Sequence, residues 1–271
     1  MADSLTPNFN FTLPEIGGSD DTWGNKLNAN WTALDALIKS KFDTLATLIT
    51  TRQLFNTAGA FTWTKPTGCR FIQLWGSGAG AAGGGAYGIG AGYVSVGGGG
   101  SSGICGHSNF IDVRTIANAS GIIGAKGIGV VAGNGGNGGE TTITIDGVGY
   151  VFAGGGGGLT SGGSYSAQVV LGAGGGPTSG TVNVTASAWN GHVGIASFGS
   201  NCGASGAGGS SWYGVGAPSI VFGGLPTSQN GASAHSLSRG AGGGGALVIA
   251  GTPHCKGGDG SDGVLEILEF Y

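Results

Sequence analysis

The chain has 271 residues, of which 65 are glycine and only 8% are charged, with a formal net charge of −3. The lack of a strict Gly-X-Y period and the presence of only 7 prolines exclude collagen, and a mean hydropathy of +0.19 argues against a solvated disordered chain. An ordinary enzyme carries about 25% charged residues, and 10 Lys plus Arg scattered singly leave no basic footprint for nucleic acid.

Residues 1–19 read as an extended leader that carries Phe9, Phe11, Leu13 and Ile16 and is broken by Pro7 and Pro14. It lacks the basic and apolar regions of a secretory signal, and no apolar run is long enough to span a bilayer, so synthesis in the cytoplasm without membrane insertion is expected. Ser19, Asp20 and Asp21 then supply a cap and first-turn acids for a helix over 20–52. Its apolar positions are Leu27, Trp31, Leu34, Ile38, Phe42, Leu45 and Ile49, two eleven-residue repeats with about 3.67 residues per turn. Such a narrow seam needs cover, either from the chain's own C-terminal domain or from a second copy. Because the helix precedes the globular part, the reading favours self-association as a short coiled-coil stalk.

From residue 53 the pattern changes to a glycine-rich domain over 53–271. It opens with β segments over 60–75, with a turn at Lys65-Pro66-Thr67-Gly68. It closes with a strand over 264–271, which is expected to pair with 71–75, and a hairpin is expected around Asp146-Gly147. Only 5 glycines precede residue 76, which leaves 60 between there and Tyr271. They cluster in runs over 76–85, 97–103, 133–139, 154–158, 172–176, 203–209, 240–245 and 257–260. Each ordered glycine costs roughly 0.5–1 kcal/mol more than alanine, so mere flexibility is a poor reason for so many. A run without side chains permits close backbone approach, and polyproline II-like runs lying side by side can bond to one another in three directions. The fold class expected is therefore mostly β and irregular, with polyproline II-like runs packed over 76–263; the alternative is glycine loops on an ordinary β-sandwich.

Gly78-Ala79-Gly80-Ala81-Ala82-Gly83 matches G-x-G-x-x-G, but more glycine follows it rather than a helix, and no acid stands about 20 residues on. No phosphate loop is present, and the few acids sit mainly in turns and the last strand, so neither an enzyme nor a cofactor is expected. Cys69, Cys105, Cys202 and Cys255 lie far apart, without metal-ligand spacing, and read as reduced, buried small hydrophobes. The segments between the glycine runs carry rings among Ser, Asn and Gly, a composition suited to binding loops. Tyr165, Trp189, Trp212 and Tyr213, with His192, His235 and Arg239, are the candidate binding residues, whereas Phe110, Phe152, Phe198 and Phe222 are expected to cap the glycine core.

Two segments resemble phage tail-fibre proteins. One is Phe11-Thr-Leu-Pro-Glu-Ile-Gly-Gly-Ser-Asp-Asp-Thr-Trp-Gly-Asn-Lys-Leu-Asn. The other is Phe61-Thr-Trp-Thr-Lys-Pro-Thr-Gly68, followed by Phe71-Ile-Gln-Leu-Trp-Gly-Ser-Gly-Ala-Gly80, which is similar to the opening of their glycine-rich C-terminal domains. The glycine-rich tip adhesins of T-even-like phages, with their polyglycine II sandwich, are a looser analogue. The resemblance implies a virion fibre whose leader, through Phe9, Phe11, Leu13 and Ile16, joins a baseplate or preceding fibre protein. It also implies a homotrimeric stalk and a distal domain that binds a bacterial surface glycan or outer-membrane protein. A purely structural collar or baseplate appendage is the alternative.

Overall fold

The computed structural model describes residues 4–5, 12–13, 23–47, 51–88, 93–161, 164–165, 169–172, 183–197, 202–223, 227–249 and 253–271. The fold is mostly β, with one helix among the described residues. The chain divides into two compact units, Met1–Thr50 with Phe270–Tyr271, and Thr51–Glu269.

In the first unit the strands Ser4–Leu5 and Thr12–Leu13 pair antiparallel, and the helix spans Trp23–Thr47. Along the expected seam Leu34 is half-buried, while Leu27, Trp31 and Ile38 are exposed, Trp31 by 61%. Phe42 and Leu45 lie within the helix and Leu13 within a strand. Ile49, Phe9, Phe11 and Ile16 fall outside the described residues.

The second unit begins with β structure, as the aromatic and β-branched segments require. A six-stranded sheet runs Thr185–Ser187, Cys105–His107, Phe71–Ser77, Val264–Phe270, Thr51–Phe55, with Ile111–Asp112 also paired to Phe71–Ser77. The closing strand thus lies beside 71–77, as its pattern anticipates. A four-stranded sheet runs Val148–Phe152, Thr141–Ile145, Asn118–Ile123, Gly59–Thr64. Its hairpin turns on Asp146 and Gly147, both at positive φ (50° and 75°), the conformation that a two-residue type I′ turn demands. The earlier turn is displaced by one residue from the expected one. Cys69 N donates to Pro66 O at 3.2 Å, which places Gly68, at φ 87°, third in the turn, where a type II geometry needs glycine. Two further four-stranded sheets contain Tyr93–Val96 with Leu247–Ile249, and Gly194–Ser197 with Cys202–Ala204. Val94, Val96, Leu247 and Ile249 form a small apolar cluster there.

Between the sheets the core is backbone. Along residues 78–86, successive N–H groups donate in rotation to three neighbouring segments. Gly78, Ala81 and Gly84 donate to Ile104, Ser101 and Gly98; Ala79, Ala82 and Gly85 to Gly139, Gly136 and Gly133; Gly80, Gly83 and Ala86 to Ser261, Gly258 and Cys255. Each partner series falls by three as the donor rises by three, so all three neighbours run antiparallel with a three-residue repeat. Carbonyls of the same run accept from two more neighbours, Gly155 and Gly158 on one side and Gly243 and Ala246 on another, and Gly127 N donates to Gly80 O. Run 97–104 repeats the pattern, donating in rotation to Ala246, Gly243 and Gly240, to Leu159, Gly156 and Ala153, and to His192 and Trp189.

Glycine is required because neighbouring backbones occupy the space of its missing side chain. A β-carbon on Gly80 would meet the carbonyl of Ala241, one on Gly83 that of Gly244, and one on Gly245 that of Gly97, each far inside van der Waals contact. Ala79, Ala81, Ala82 and Ala86 nevertheless fit fully buried in the same run, so the demand is set residue by residue rather than by composition.

Side chains also serve as acceptors for these runs, at the same three-residue step. Asn137 Oδ1 accepts from Gly157 N at 2.9 Å and Asn134 Oδ1 from Thr160 N at 3.0 Å. Likewise Asp262 Oδ1 accepts from Lys126 N and Asp259 Oδ1 from Gly129 N, both at 2.9 Å. Asn137→Ala removes one such acceptor and is expected to lower stability by about 1 kcal/mol, measured as a reduced denaturation midpoint with an unchanged m-value.

Candidate functional site

The runs sort the connecting segments into two ends of the second unit. Run 78–86 leaves the strand Phe71–Ser77, and its antiparallel neighbours arrive at Cys105–His107, Thr141–Ile145 and Val264–Phe270. The six-stranded and first four-stranded sheets therefore share one end, where the chain also enters the unit at Thr51. The sheets containing Tyr93–Val96 and Gly194–Ser197 occupy the opposite end.

At the end where the chain enters, rings gather on the outward face of the six-stranded sheet. Along Phe71–Ser77 the buried positions Ile72 and Leu74 alternate with Phe71, Gln73 and Trp75, which turn outward. Antiparallel register sets His107 directly opposite Trp75, and Thr185 directly opposite His107. The Trp75 and His107 rings stack at 4.9 Å, and Trp212 tilts against Trp75 at 5.9 Å. Trp75 Nε1 donates to Gln73 Oε1 at 3.0 Å, and Gln73 Nε2 donates to Ser108 O at 3.1 Å, which fixes the indole. Trp212 N donates to the buried Cys105 Sγ at 3.4 Å, so the loop that carries this ring is tied to the strand beneath.

The other candidates at this end are held by the protein itself. Arg239 Nε donates to Asn56 O at 3.2 Å, and its Nη1 to Ser236 O and Ser238 O at 3.0 and 2.9 Å. That guanidinium clamps loops to the strand region. Tyr213 pairs with Arg239 in a short bridge; burial, followed by the nearby Glu266 carboxylate, drives its phenol above the ordinary range. His235 is exposed, and its Nδ1 accepts from Leu237 N at 3.2 Å. The Cys105 thiol, pushed up by burial, stays protonated and donates to Ser77 Oγ at 3.3 Å.

Trp189 and His192 lie apart from this group, on the segment alongside run 97–104. Both are exposed, and their carbonyls accept from Ser102 N and Gly99 N. Tyr165 belongs to the opposite end, in the strand Ser164–Tyr165, paired with Tyr93. The seven candidates therefore do not form one site; Trp212, Tyr213, Arg239 and His235 share an end, and the other three are distributed along the unit.

Phe110 and Cys202 depart from expectation. Phe152 is fully buried and Phe222 packs against the apolar cluster, but Phe110 is 63% exposed, because it follows the strand Cys105–His107 past the end of the core. Phe198 falls outside the described residues. Cys69, Cys105 and Cys255 are buried and Cys202 is exposed.

Phe110 instead borders a cleft of about 380 Å³ at the edge of the ring row, lined by Asn109, Phe110, Ile111, Val148, Tyr150, Asn183, Val184 and Thr185. None of these side chains is charged. Asn183 stands at φ 57°, in the left-handed region that asparagine tolerates better than most residues. Its Nδ2 donates to Gly149 O at 2.8 Å, locking the amide to the opposing strand. Partial burial raises the Tyr150 phenol above its usual range, so it remains a neutral donor and acceptor.

Sequence reasoning missed Trp75, His107 and this cleft. The outward parity of Phe71, Gln73 and Trp75 was an available signal; the register that brings His107 beside Trp75 was not. The arrangement offers ring faces, amides and hydroxyls. Among the described residues no three His, Cys, Asp or Glu side chains gather as metal ligands, and no helix is long and apolar enough to cross a membrane. No family model matches the chain, and no curated protein matches it.

Proposed function

We propose that the chain is a phage tail fibre that attaches the virion to a bacterial surface through exposed segments of its glycine-rich unit. The observation that carries this reading is the three-residue rotation of backbone hydrogen bonds along 78–86 and 97–104. Three residues per turn is the repeat of polyproline II geometry, so the runs are read as a polyglycine II bundle, the nine-residue run 78–86 extending roughly 28 Å. Such a core takes its cohesion from backbone and leaves the side chains of the connecting segments available for recognition.

The helix supports the rest of the reading. Its exposed Leu27, Trp31 and Ile38 form a seam that a homotrimeric stalk would cover, with the leader before it joining a baseplate or preceding fibre protein. Three weak sites per fibre and several fibres per virion would then act through effective concentration. Purified, labelled chain is expected to stain the envelope of the host and to slow adsorption of phage that carry it. Chain that does neither overturns the attachment reading.

A further inference from the structure

The geometry points to a binding strip for a neutral oligosaccharide, running from the cleft at Tyr150 and Asn183 across Thr185 to the rings of His107, Trp75 and Trp212. Three independent observations converge on it. The first is continuity. Thr185 both lines the cleft and stands directly opposite His107, which stands directly opposite Trp75. Adjacent strands lie about 4.8 Å apart, so these three positions cover about 10 Å of outward sheet face, and Trp212 extends the row beyond Trp75. The second is chemistry. Flat ring faces receive the C–H faces of pyranoses, while the amides of Asn109 and Asn183 and the hydroxyls of Tyr150 and Thr185 are matched to vicinal sugar hydroxyls. A cleft with no charged wall favours neutral sugars over sialylated, sulfated or phosphorylated ones.

The third observation is preorganisation. The Asn183 backbone is held in a region that costs free energy for a residue with a side chain, a form of strain that clusters at ligand sites. Its Nδ2 is already committed to Gly149 O, which fixes where its Oδ1 can accept. On the ring side, the Gln73 hydrogen bond holds the Trp75 indole, and the His107 Nδ1 contact with Ser108 O at 3.2 Å holds the imidazole against it. Rings and amides ordered before binding lose little entropy when a sugar arrives. The strip lies at the end where the chain enters the unit, so its ligand would engage the flank rather than the opposite end, and binding there does not depend on the chain being a fibre.

The test uses the full chain and a panel of neutral pentasaccharides of glucose, galactose, mannose and N-acetylglucosamine, with sialylated and sulfated counterparts, read by saturation-transfer NMR and titration. At least one neutral pentasaccharide is expected to bind. Trp212→Ala and Asn183→Gly should each weaken it about tenfold with the unit still cooperatively folded, since the Trp212 ring is exposed and glycine is at ease at positive φ. The strip is overturned if no neutral member binds, if only anionic members bind, or if binding survives both substitutions.

Discussion

Gly83→Ala is expected to abolish stable folding of the glycine-rich unit, at a cost of about 4 kcal/mol or more. The added methyl would strike the Gly244 carbonyl and then Gly245 N, all of it main chain. A crowded side chain can change rotamer; a carbonyl already engaged in a lattice cannot move without breaking bonds elsewhere. Gly83 N itself donates to Gly258 O at 2.9 Å, so displacing run 78–86 would also loosen its contacts with the other neighbours. Gly149→Ala is the matched control. Nothing lies within 4 Å of its would-be β-carbon and its φ is not positive, so the substitution should be neutral or stabilise by up to about 1 kcal/mol through the unfolded chain. Chemical denaturation of the two variants side by side separates local packing from any general intolerance of alanine; equal midpoints would refute the backbone-packed core.

The second large effect is expected at Glu269, which is 1% exposed. Its Oε1 accepts from Trp63 Nε1 and Gln53 Nε2, both at 2.7 Å, and its Oε2 from Thr51 Oγ1 at 2.5 Å. One carboxylate thus binds the closing strand to the first strand of the unit and to the buried indole of the four-stranded sheet. Glu269→Leu removes the acceptor and leaves the Trp63 N–H buried without it, a loss of about 3–5 kcal/mol. Glu269→Gln keeps one carbonyl oxygen for Trp63 and Gln53 and is expected to cost about 1–2 kcal/mol. Urea titrations followed by tryptophan emission give both values, and a Leu variant as stable as the Gln variant would remove Glu269 from this role.

Much of the β framework was legible because apolar, aromatic and β-branched residues stand between turn residues. Val264–Phe270 is such a run, although its parity turns Glu269 inward and leaves Leu268 half-buried, and Asp146-Gly147 spells its own turn. The strand Asn118–Ile123 was not legible, since Asn118-Ala119-Ser120-Gly121 reads as a loop until Gly121 is seen to make room for the Phe61 ring. Thr51–Phe55 was hidden in the transition from the helix. The glycine runs announced themselves by composition, but their register did not. Glycine has no side chain with which to record a period, so the three-residue rotation emerges only from partners as far apart as Gly80 and Ser261. The ring row failed for a related reason: Trp75 and His107 are neighbours by strand register, and Trp212 reaches them through a loop set by other runs.

The edge pairing at the start of the second unit has a mechanical consequence. Thr51 pairs with Glu269 and Phe55 with Leu265, so the strand enters at its outer tip and points inward beside an antiparallel partner. Tension applied through Thr51 along the strand would load the ladder in shear, all of its bonds together, rather than peel them one by one. The Glu269 side-chain bonds to Thr51 and Gln53 lie at the first point of load. Behind them the runs 78–86 and 97–104 spread the force over backbone bonds to several neighbours at once. A ladder loaded in this way yields as a unit or not at all.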